Sequence, residues 1–272
     1  MATALRTVTA VAHRGDPYRA RENTLASIRS AVARGADAVE IDVRVTRDGV
    51  PVLLHDSTLG RLWGHDVRVD RLTHRELTER TGGGVPTLRE ALAAAASRPF
   101  MVDLPDATDA SVRRIVGVIG ECGAAERVYY CADTSAMLRV RAADPSAEIA
   151  LTWTTLAPPR PVLLDAVRPH WLNYRFGLMS RELADRVHAD GLLVSVWTAD
   201  TRRTMRRLTG YGVDSITTNR IDTLRAHLDG RRAPLDDRRA SPDGHRAGGG
   251  EEVRTTVRPD AGGVGGAAGR KP

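Results

Sequence analysis

The chain has 272 residues, of which 42% are hydrophobic, and it carries a formal net charge of +6. This length fits one large domain or two ordinary ones, and the apolar fraction suffices for a sizeable core. From Arg231 onward nine basic residues accompany six acidic ones, so half of the excess charge lies in the last 42 residues. The rest has no basic run flanked by aromatic residues, which argues against nucleic-acid binding.

The termini and the cysteines indicate the compartment. The N-terminal residues contain no apolar stretch of signal-peptide length, and no segment approaches the roughly 20 apolar residues of a membrane span. Cys122 and Cys131 lack zinc-ligand spacing and are too few for a disulfide framework, so free thiols are expected. We therefore expect a cytoplasmic protein without stable membrane association, and the oligomeric state stays open.

Short β-rich apolar runs alternate with longer runs of helical period, which is typical of a parallel sheet with crossover helices. The predicted strands cover residues 8–13, 38–46, 51–55, 100–104, 127–132, 148–153, 170–176, 192–198 and 214–219. Too few residues separate the second strand from the third for a parallel crossover, so these two should form a hairpin. The other eight predict an α/β fold, a (β/α)8 TIM barrel with a short hairpin excursion after its second strand.

Helices are predicted between most of these strands, at residues 22–35, 87–98, 109–123, 134–145, 180–191 and 201–212. Thr24 and Thr87 are predicted helix N-caps. Residues 57–85 are predicted to be a long polar connection. Residues 1–229 would form the barrel domain, and residues 230–272 a disordered tail, because this Gly/Arg/Pro-rich segment lacks the apolar residues for a core.

Carboxylates at the strand ends predict a cation site. Glu40 and Asp42 are two apart in a strand, so their side chains point the same way. Two like charges share a buried face only if a cation or a shared proton holds them there. Asp103, near the end of the next barrel strand, adds a third carboxylate. Such a set suits Mg²⁺ or Ca²⁺ and is poor for zinc.

Two histidines and an arginine end strands at the same rim. His13 and His55 suit general acid and base catalysis, although a lone histidine at such a place is more often structural. Arg14 offers a planar fork for a phosphate oxygen, with a surface ion pair as its alternative. Together with a divalent cation, these residues predict phosphodiester chemistry.

A series of motifs extends this pattern along the chain. In order and spacing it resembles the glycerophosphodiester phosphodiesterase family over about residues 8 to 225. The motifs are His13-Arg14-Gly15, Glu22-Asn23-Thr24, Glu40-x-Asp42 and His55-Asp56-x-Thr58-Leu59, followed by Pro86-Thr87-Leu88, Val196-Trp197-Thr198, Gly212-Val213-Asp214 and Thr217-Thr218-Asn219.

The resemblance implies a barrel that hydrolyses glycerophosphodiesters, a small-molecule substrate class, to glycerol 3-phosphate and an alcohol with Mg²⁺ or Ca²⁺. It further implies that the substrate's own hydroxyl attacks phosphorus and that water then opens a cyclic phosphate. The implied roles are acid/base catalysis for His13 and His55, and metal ligation for Glu40 and Asp42, with Asp103 as the third carboxylate. Arg14 would bind phosphate, Trp197 would form a substrate-facing wall, and Asn23 would contact the substrate or its phosphate from the rim.

One position departs from the family pattern. The family usually has Glu-x-Lys at the third strand, where this chain has Asp103 and Pro105. The only lysine of the chain is Lys271, so an arginine would have to replace the missing cation, and Arg175 is the candidate by position. Two alternatives therefore stay open: a phospholipase D-like or sphingomyelinase D-like phosphodiesterase, and a degenerate barrel that binds phosphate with little or no turnover.

Overall fold

Eight parallel strands close into a barrel in the computed structural model, which describes residues 7–232. In chain order the strands are β1 (Thr9–His13), β2 (Ala38–Val45), β3 (Pro51–Leu53), β4 (Thr58–Leu59), β5 (His65–Arg68), β6 (Phe100–Asp103), β7 (Val128–Ala132), β8 (Glu148–Trp153), β9 (Trp171–Arg175), β10 (Leu193–Trp197) and β11 (Ser215–Thr218). The barrel order is β1-β2-β6-β7-β8-β9-β10-β11, and β11 pairs with β1 to close it. The predicted TIM barrel is confirmed.

Helices surround the barrel and connect its strands. They are α1 (Leu25–Ala33), α2 (Gly60–Trp63), α3 (His74–Thr81), α4 (Leu88–Ala94), α5 (Asp109–Glu121), α6 (Thr134–Ala143), α7 (Pro161–Val167), α8 (Arg181–Ala189), α9 (Arg202–Tyr211) and α10 (Ile221–Arg232). Thr24 and Thr87 cap α1 and α4 as predicted, and Glu90 completes a capping box with Thr87. No helix within residues 7–232 combines the length and hydropathy of a membrane span.

The main core lies between the barrel and its helices. Outward-facing strand residues such as Ala12, Ile41 and Val102 pack there, each without exposed surface. Inward-facing side chains at the lower end of the barrel form a smaller apolar cluster around Met101 and Ala150. Because strand residues alternate between the two sides, the polar residues next to these positions point into the upper barrel.

The segment after β2 departs from the simple barrel. β3 pairs antiparallel with β2 in the register Val43↔Leu53, which confirms the predicted hairpin. Residues 57–85, predicted to be a polar connection, instead contain the β4–β5 pair, α2 and α3 around a separate apolar cluster that includes Leu59, Leu72 and Leu77. These apolar residues lie on short elements and in the loops between them, so they show no helical or strand period along the sequence. We call residues 46–86 the excursion.

The chain termini fall partly outside the described region. Helix α10 runs to Arg232 and therefore contains residues 230–232 of the predicted disordered tail. The remainder of that predicted tail, residues 233–272, and residues 1–6 lie outside the described residues.

Candidate active site

A cavity of about 270 Å³ opens at the carboxyl ends of the barrel strands. It collects predicted site residues from separate parts of the chain, as the rim of a (β/α)8 barrel does. Its lining includes His13, Arg14, Glu40, Asp42, His55, Asp103 and Trp197, together with Cys131, Thr152, Asn173 and Thr217. We call the first six the charged wall, and Cys131, Thr152, Asn173, Trp197 and Thr217 the neutral wall.

The turn after β1 is shaped by local sterics. Arg14 adopts a left-handed conformation with φ 56°, and its backbone N–H donates to Glu40 Oε2 at 2.8 Å. The next residue, Gly15, has φ 86°, and a Cβ there would lie 2.3 Å from Ser27 Oγ. Only glycine fits so close to α1, and the sharp turn aims the Arg14 side chain into the cavity. This geometry explains the first motif physically.

Asn23 holds a carboxylate of the site. Its side chain is buried, its Nδ2 donates to Asp42 Oδ2 at 2.7 Å, and its Oδ1 accepts from the Asp42 backbone N–H at 3.2 Å. Asn23 does not belong to the cavity lining, although the sequence suggested a substrate contact. Its position therefore supports a role in orienting Asp42.

Three carboxylates gather in the charged wall. Burial, and then the charges of Asp42 and Asp103, raise the pKa of Glu40 well above its ordinary value. Burial and the neighbouring Asp42 likewise raise the pKa of Asp103 to about 7. Within residues 7–232, no group of three or more His, Cys, Asp or Glu side chains stands in a metal-coordinating arrangement. The donor chemistry nevertheless fits a hard cation, since a cation would relieve this mutual repulsion.

His13 is held by a chain of hydrogen bonds. Asn219 Nδ2 donates to Asp200 Oδ2 at 2.8 Å, which leaves Asn219 Oδ1 to accept from His13 Nδ1 at 2.8 Å. The imidazole then keeps a lone pair on Nε2, which lies 3.9 Å from Glu40 Oε2. Burial and the charge of Arg14 lower the pKa of His13, so the ring is neutral near pH 7.

His55 takes part in a network of ion pairs. Its Nδ1 lies 2.7 Å from Asp56 Oδ1, and Asp56 Oδ2 accepts from Arg61 Nε at 2.6 Å. Arg61 also donates to Glu22 Oε1, which accepts from Arg14 Nη1 as well. The hydrogen bond from Arg61 lowers the pKa of Asp56 to about 2, so a carboxylate faces His55 Nδ1 throughout the neutral range. The network links the excursion to the turn after β1.

Arg14 keeps part of its guanidinium group available. Its Nη1 donates to Glu22 at 2.8 Å, and its Nε lies 3.1 Å from Asp42 Oδ2. That second approach is an ion pair without hydrogen-bond alignment, because Nε has no hydrogen-bond partner among the described residues. A buried N–H group at a cavity wall is suited to an anionic oxygen.

Of the neutral wall, the sequence pointed only to Trp197 as a substrate wall and to Thr217 as part of a motif, and gave no role to Cys131, Thr152 or Asn173. Asn173 Nδ2 donates to Cys131 Sγ at 3.0 Å and to Thr152 Oγ1 at 3.3 Å. Asn173 Oδ1 and Thr217 Oγ1 are buried without a partner among the described residues. A usable signal existed, because these residues occupy inward-facing positions of otherwise apolar strands. The pairing of the strands was needed to show that they converge.

The structure favours Arg44 over Arg175 as the replacement for the family lysine at the position of Pro105. Arg175 is exposed, lies outside the cavity lining, and places its guanidinium carbon 5.6 Å from the ring centre of Trp197. Arg44 instead lies beside Pro105: it pairs with the carboxylate of the following residue, Asp106, and its Nε donates to the His55 carbonyl at 2.9 Å. Arg44 follows Asp42 by two residues on β2, a relation that the sequence analysis did not use.

Comparisons with known proteins show the family of this chain. The sequence profile of the Glycerophosphoryl diester phosphodiesterase family matches residues 13–223. The chain is 31% identical to a probable glycerophosphodiester phosphodiesterase 2 of Mycobacterium tuberculosis, over 79% of this chain and 89% of that protein. It is 28% identical to a glycerophosphodiester phosphodiesterase of Caldanaerobacter subterraneus, over 79% of this chain and 95% of that one.

Solved structures show the same fold. A putative glycerophosphoryl diester phosphodiesterase from Silicibacter pomeroyi superposes with a TM-score of 0.75 at 20% identity, covering 84% of this chain and 95% of that one. A phosphodiesterase from Oleispira antarctica, solved in complex with the product sn-glycerol-3-phosphate, gives a TM-score of 0.74 at 21% identity, covering 81% and 96% of the two chains.

Proposed function

This chain belongs to the glycerophosphoryl diester phosphodiesterase family, and we propose that it hydrolyses glycerophosphodiesters to sn-glycerol 3-phosphate and an alcohol with the help of a divalent cation. One observation carries the proposal: charged residues from four separate segments converge on one cavity. Two histidines, Arg14 and three carboxylates line it together. This is the combination that phosphodiester cleavage requires, namely proton transfer and neutralisation of charge on phosphoryl oxygens.

The two histidines divide the proton transfers. His13 Nε2, unprotonated because its Nδ1 faces Asn219, takes the proton of the attacking hydroxyl of the glycerol arm. That oxygen bonds to phosphorus, the bond to the leaving alcohol breaks, and His55 supplies the proton that the departing oxygen needs. Water then opens the cyclic phosphate with the two roles reversed. Asn219 acts here as a positioning residue.

Glu40, Asp42 and Asp103 would hold the cation. When bound, a divalent ion neutralises the negative charge of the phosphoryl oxygens. Asn23 holds the Asp42 carboxylate in place by its two hydrogen bonds. The Nε–H of Arg14, which makes no hydrogen bond among the described residues, would donate to a phosphoryl oxygen, and Trp197 would contact the substrate from the neutral wall.

The test is release of sn-glycerol 3-phosphate from sn-glycero-3-phosphoglycerol or sn-glycero-3-phosphocholine, with Mg²⁺ or Ca²⁺ supplied. We expect turnover that EDTA abolishes and that either ion restores. Folded protein that binds either ion, shown by a thermal shift, yet cleaves neither diester would support the degenerate barrel and refute the proposal. Release of the headgroup alcohol with a persistent cyclic phosphate would support the phospholipase D-like alternative.

A further inference from the structure

A second, larger depression adjoins the cavity. It measures about 830 Å³ and runs between the excursion and the loop that follows β6. Leu104, Pro105 and Asp133 line both spaces, so the two lie next to each other at this edge. A phosphodiester has two arms on one phosphorus. With the glycerol arm in the cavity, the other arm can leave through the shared edge into this depression, which we call the side cleft.

Arginines dominate the wall of the side cleft. Four of them line it: Arg44, Arg47, Arg68 and Arg114. Two are neutralised within the wall, since Arg44 pairs with Asp106, and Arg68 Nη2 lies 2.8 Å from Asp70 Oδ2. The third carboxylate of the wall, Asp133, caps α6 by accepting from the Ala136 N–H at 2.9 Å.

The other two arginines have their acidic neighbours outside the wall. Arg47 Nη2 lies 3.1 Å from Glu76 Oε2, and Arg114 Nη1 lies 3.8 Å from Glu121 Oε1. Neither glutamate lines the side cleft. Both arginine side chains are about half exposed, at 56% and 49%. They therefore give the side cleft a surplus of positive charge that a bound group can reach.

The side cleft is unsuited to a cationic group. A quaternary ammonium ion is recognised by the faces of aromatic rings, and no aromatic residue belongs to the lining of this cleft within residues 7–232. Its polar lining instead includes Ser57, whose hydroxyl group can donate to an anionic oxygen.

We propose that the side cleft is a subsite for a leaving alcohol that carries its own anionic group, such as a phosphate monoester. The inference rests on the proposed function and narrows its substrate class. Arg47 and Arg114 contact the anion in competition with their glutamates. The cavity holds the phosphodiester as before.

The experiment compares two diesters that differ only in the far group. One is sn-glycero-3-phosphoglycerol, and the other is the same molecule with a phosphate monoester on the distal hydroxyl of the leaving glycerol. With free Mg²⁺ held constant and in excess, we expect kcat/KM to favour the phosphorylated diester on the order of tenfold, the scale of two partly exposed ion pairs. The preference should shrink as salt is added.

Variants locate the effect. The double variant Arg47→Gln, Arg114→Gln should lower the ratio of the two kcat/KM values about tenfold, which would abolish the preference. Arg75→Gln is the control, because Arg75 lies on α3 of the same excursion, is 86% exposed and does not line the side cleft. This control should leave the ratio unchanged, although it removes the same formal charge as each single substitution.

Binding gives a readout that does not depend on turnover. Calorimetry with His13→Ala and Mg²⁺ should show the phosphorylated diester binding on the order of tenfold more tightly than the neutral one. Turnover of the neutral diester with equal constants for both substrates would overturn the subsite and leave the proposed function intact. If neither diester is bound or cleaved, the subsite and the proposed function are both overturned. A preference that survives the double variant would overturn the assignment to the side cleft.

Discussion

The two walls of the cavity are built on different principles. In the charged wall the functional groups are tied to neighbours: His13 to Asn219, His55 to Asp56, and Asp42 to Asn23. In the neutral wall Asn173 Oδ1, Thr217 Oγ1 and Trp197 Nε1 have no hydrogen-bond partner among the described residues. One wall is preorganised for reaction, whereas the other has free hydrogen-bonding atoms for a polar ligand.

The largest effect should come from the charged wall. His13→Ala removes the proposed base, and we expect kcat to fall at least about 10²-fold, the scale of lost general base catalysis. Steady-state kinetics on a glycerophosphodiester with Mg²⁺ measures this. His65→Ala, an exposed histidine of the excursion, is the control and should be nearly as active as the wild type. Normal turnover by His13→Ala would remove its catalytic role.

A substitution in the turn after β1, which positions Arg14 of the charged wall, should have an effect of similar size on stability. Gly15→Ala adds a Cβ at 2.3 Å from Ser27 Oγ, in a left-handed backbone, so we expect about 3 kcal/mol of destabilisation from overpacking and strain. Denaturant unfolding measures it. Gly49→Ala isolates the backbone part: its φ is 81° with no atom within 4 Å of the new Cβ, and it should cost about 1 kcal/mol. Equal losses would mean that the contact with α1 is not tight.

A smaller effect concerns the pH dependence of the metal-free protein. The pKa of Asp103 is raised to about 7 in the folded state, so the folded protein holds a proton there that the unfolded chain releases near pH 4. The protonated Asp103 therefore stabilises the folded protein fully below about pH 4, and this stabilisation is lost as the pH rises through about 7.

Thermal unfolding in EDTA between pH 5 and 8 tests this linkage. We expect the wild type to lose on the order of 1 kcal/mol more than Asp103→Asn across this range. Asp165→Asn, an exposed position on α7, should behave as the wild type. Equal slopes for the wild type and Asp103→Asn would show that Asp103 ionises as in the unfolded chain.

The smallest effect should come from the neutral wall. Asn173→Ala removes a buried acceptor from a residue that lines the cavity, and we expect KM to rise about 2- to 10-fold with little change in kcat, the scale of one hydrogen bond. Ser195→Ala is the control, since Ser195 pairs with Asn173 in the strand register. Its hydroxyl, which has no hydrogen-bond partner among residues 7–232, lies outside the cavity lining. A large fall in kcat for Asn173→Ala would erase the distinction between the walls.

The sequence predicted all six residues of the charged wall. His13, Arg14, Glu40, Asp42, His55 and Asp103 carry chemistry at the ends of recognisable strands, and all six line the cavity. Asn23 and Arg175 were placed by motif and by position alone. In the structure Asn23 is hydrogen-bonded to Asp42, and the Arg175 guanidinium group lies over the Trp197 ring. Both residues are outside the cavity lining. A strand position sets which way a side chain points, but the partner that it reaches depends on the neighbouring loops.

The structure of the excursion could not be predicted from the hydrophobic periodicity of the sequence. Leu59 lies on β4, Leu72 between β5 and α3, and Leu77 on α3, so no single element presents all three in a 2.0 or 3.6 residue repeat. Their shared cluster is visible only when the segment is folded on itself. Arg44 is a similar case, because its link to Asp106 joins residues 62 positions apart.

The sequence by itself determined the barrel, the hairpin after β2 and the charged residues of the site. Alternating periods and strand-end motifs are local properties, and a closed parallel sheet brings strand ends together at one rim. Only the tertiary structure decided the polar part of the neutral wall, the hydrogen-bond chain behind His13 and the side cleft. These features arise from side chains far apart along the chain, such as His13 and Asn219, and their meeting depends on strand register and loop packing.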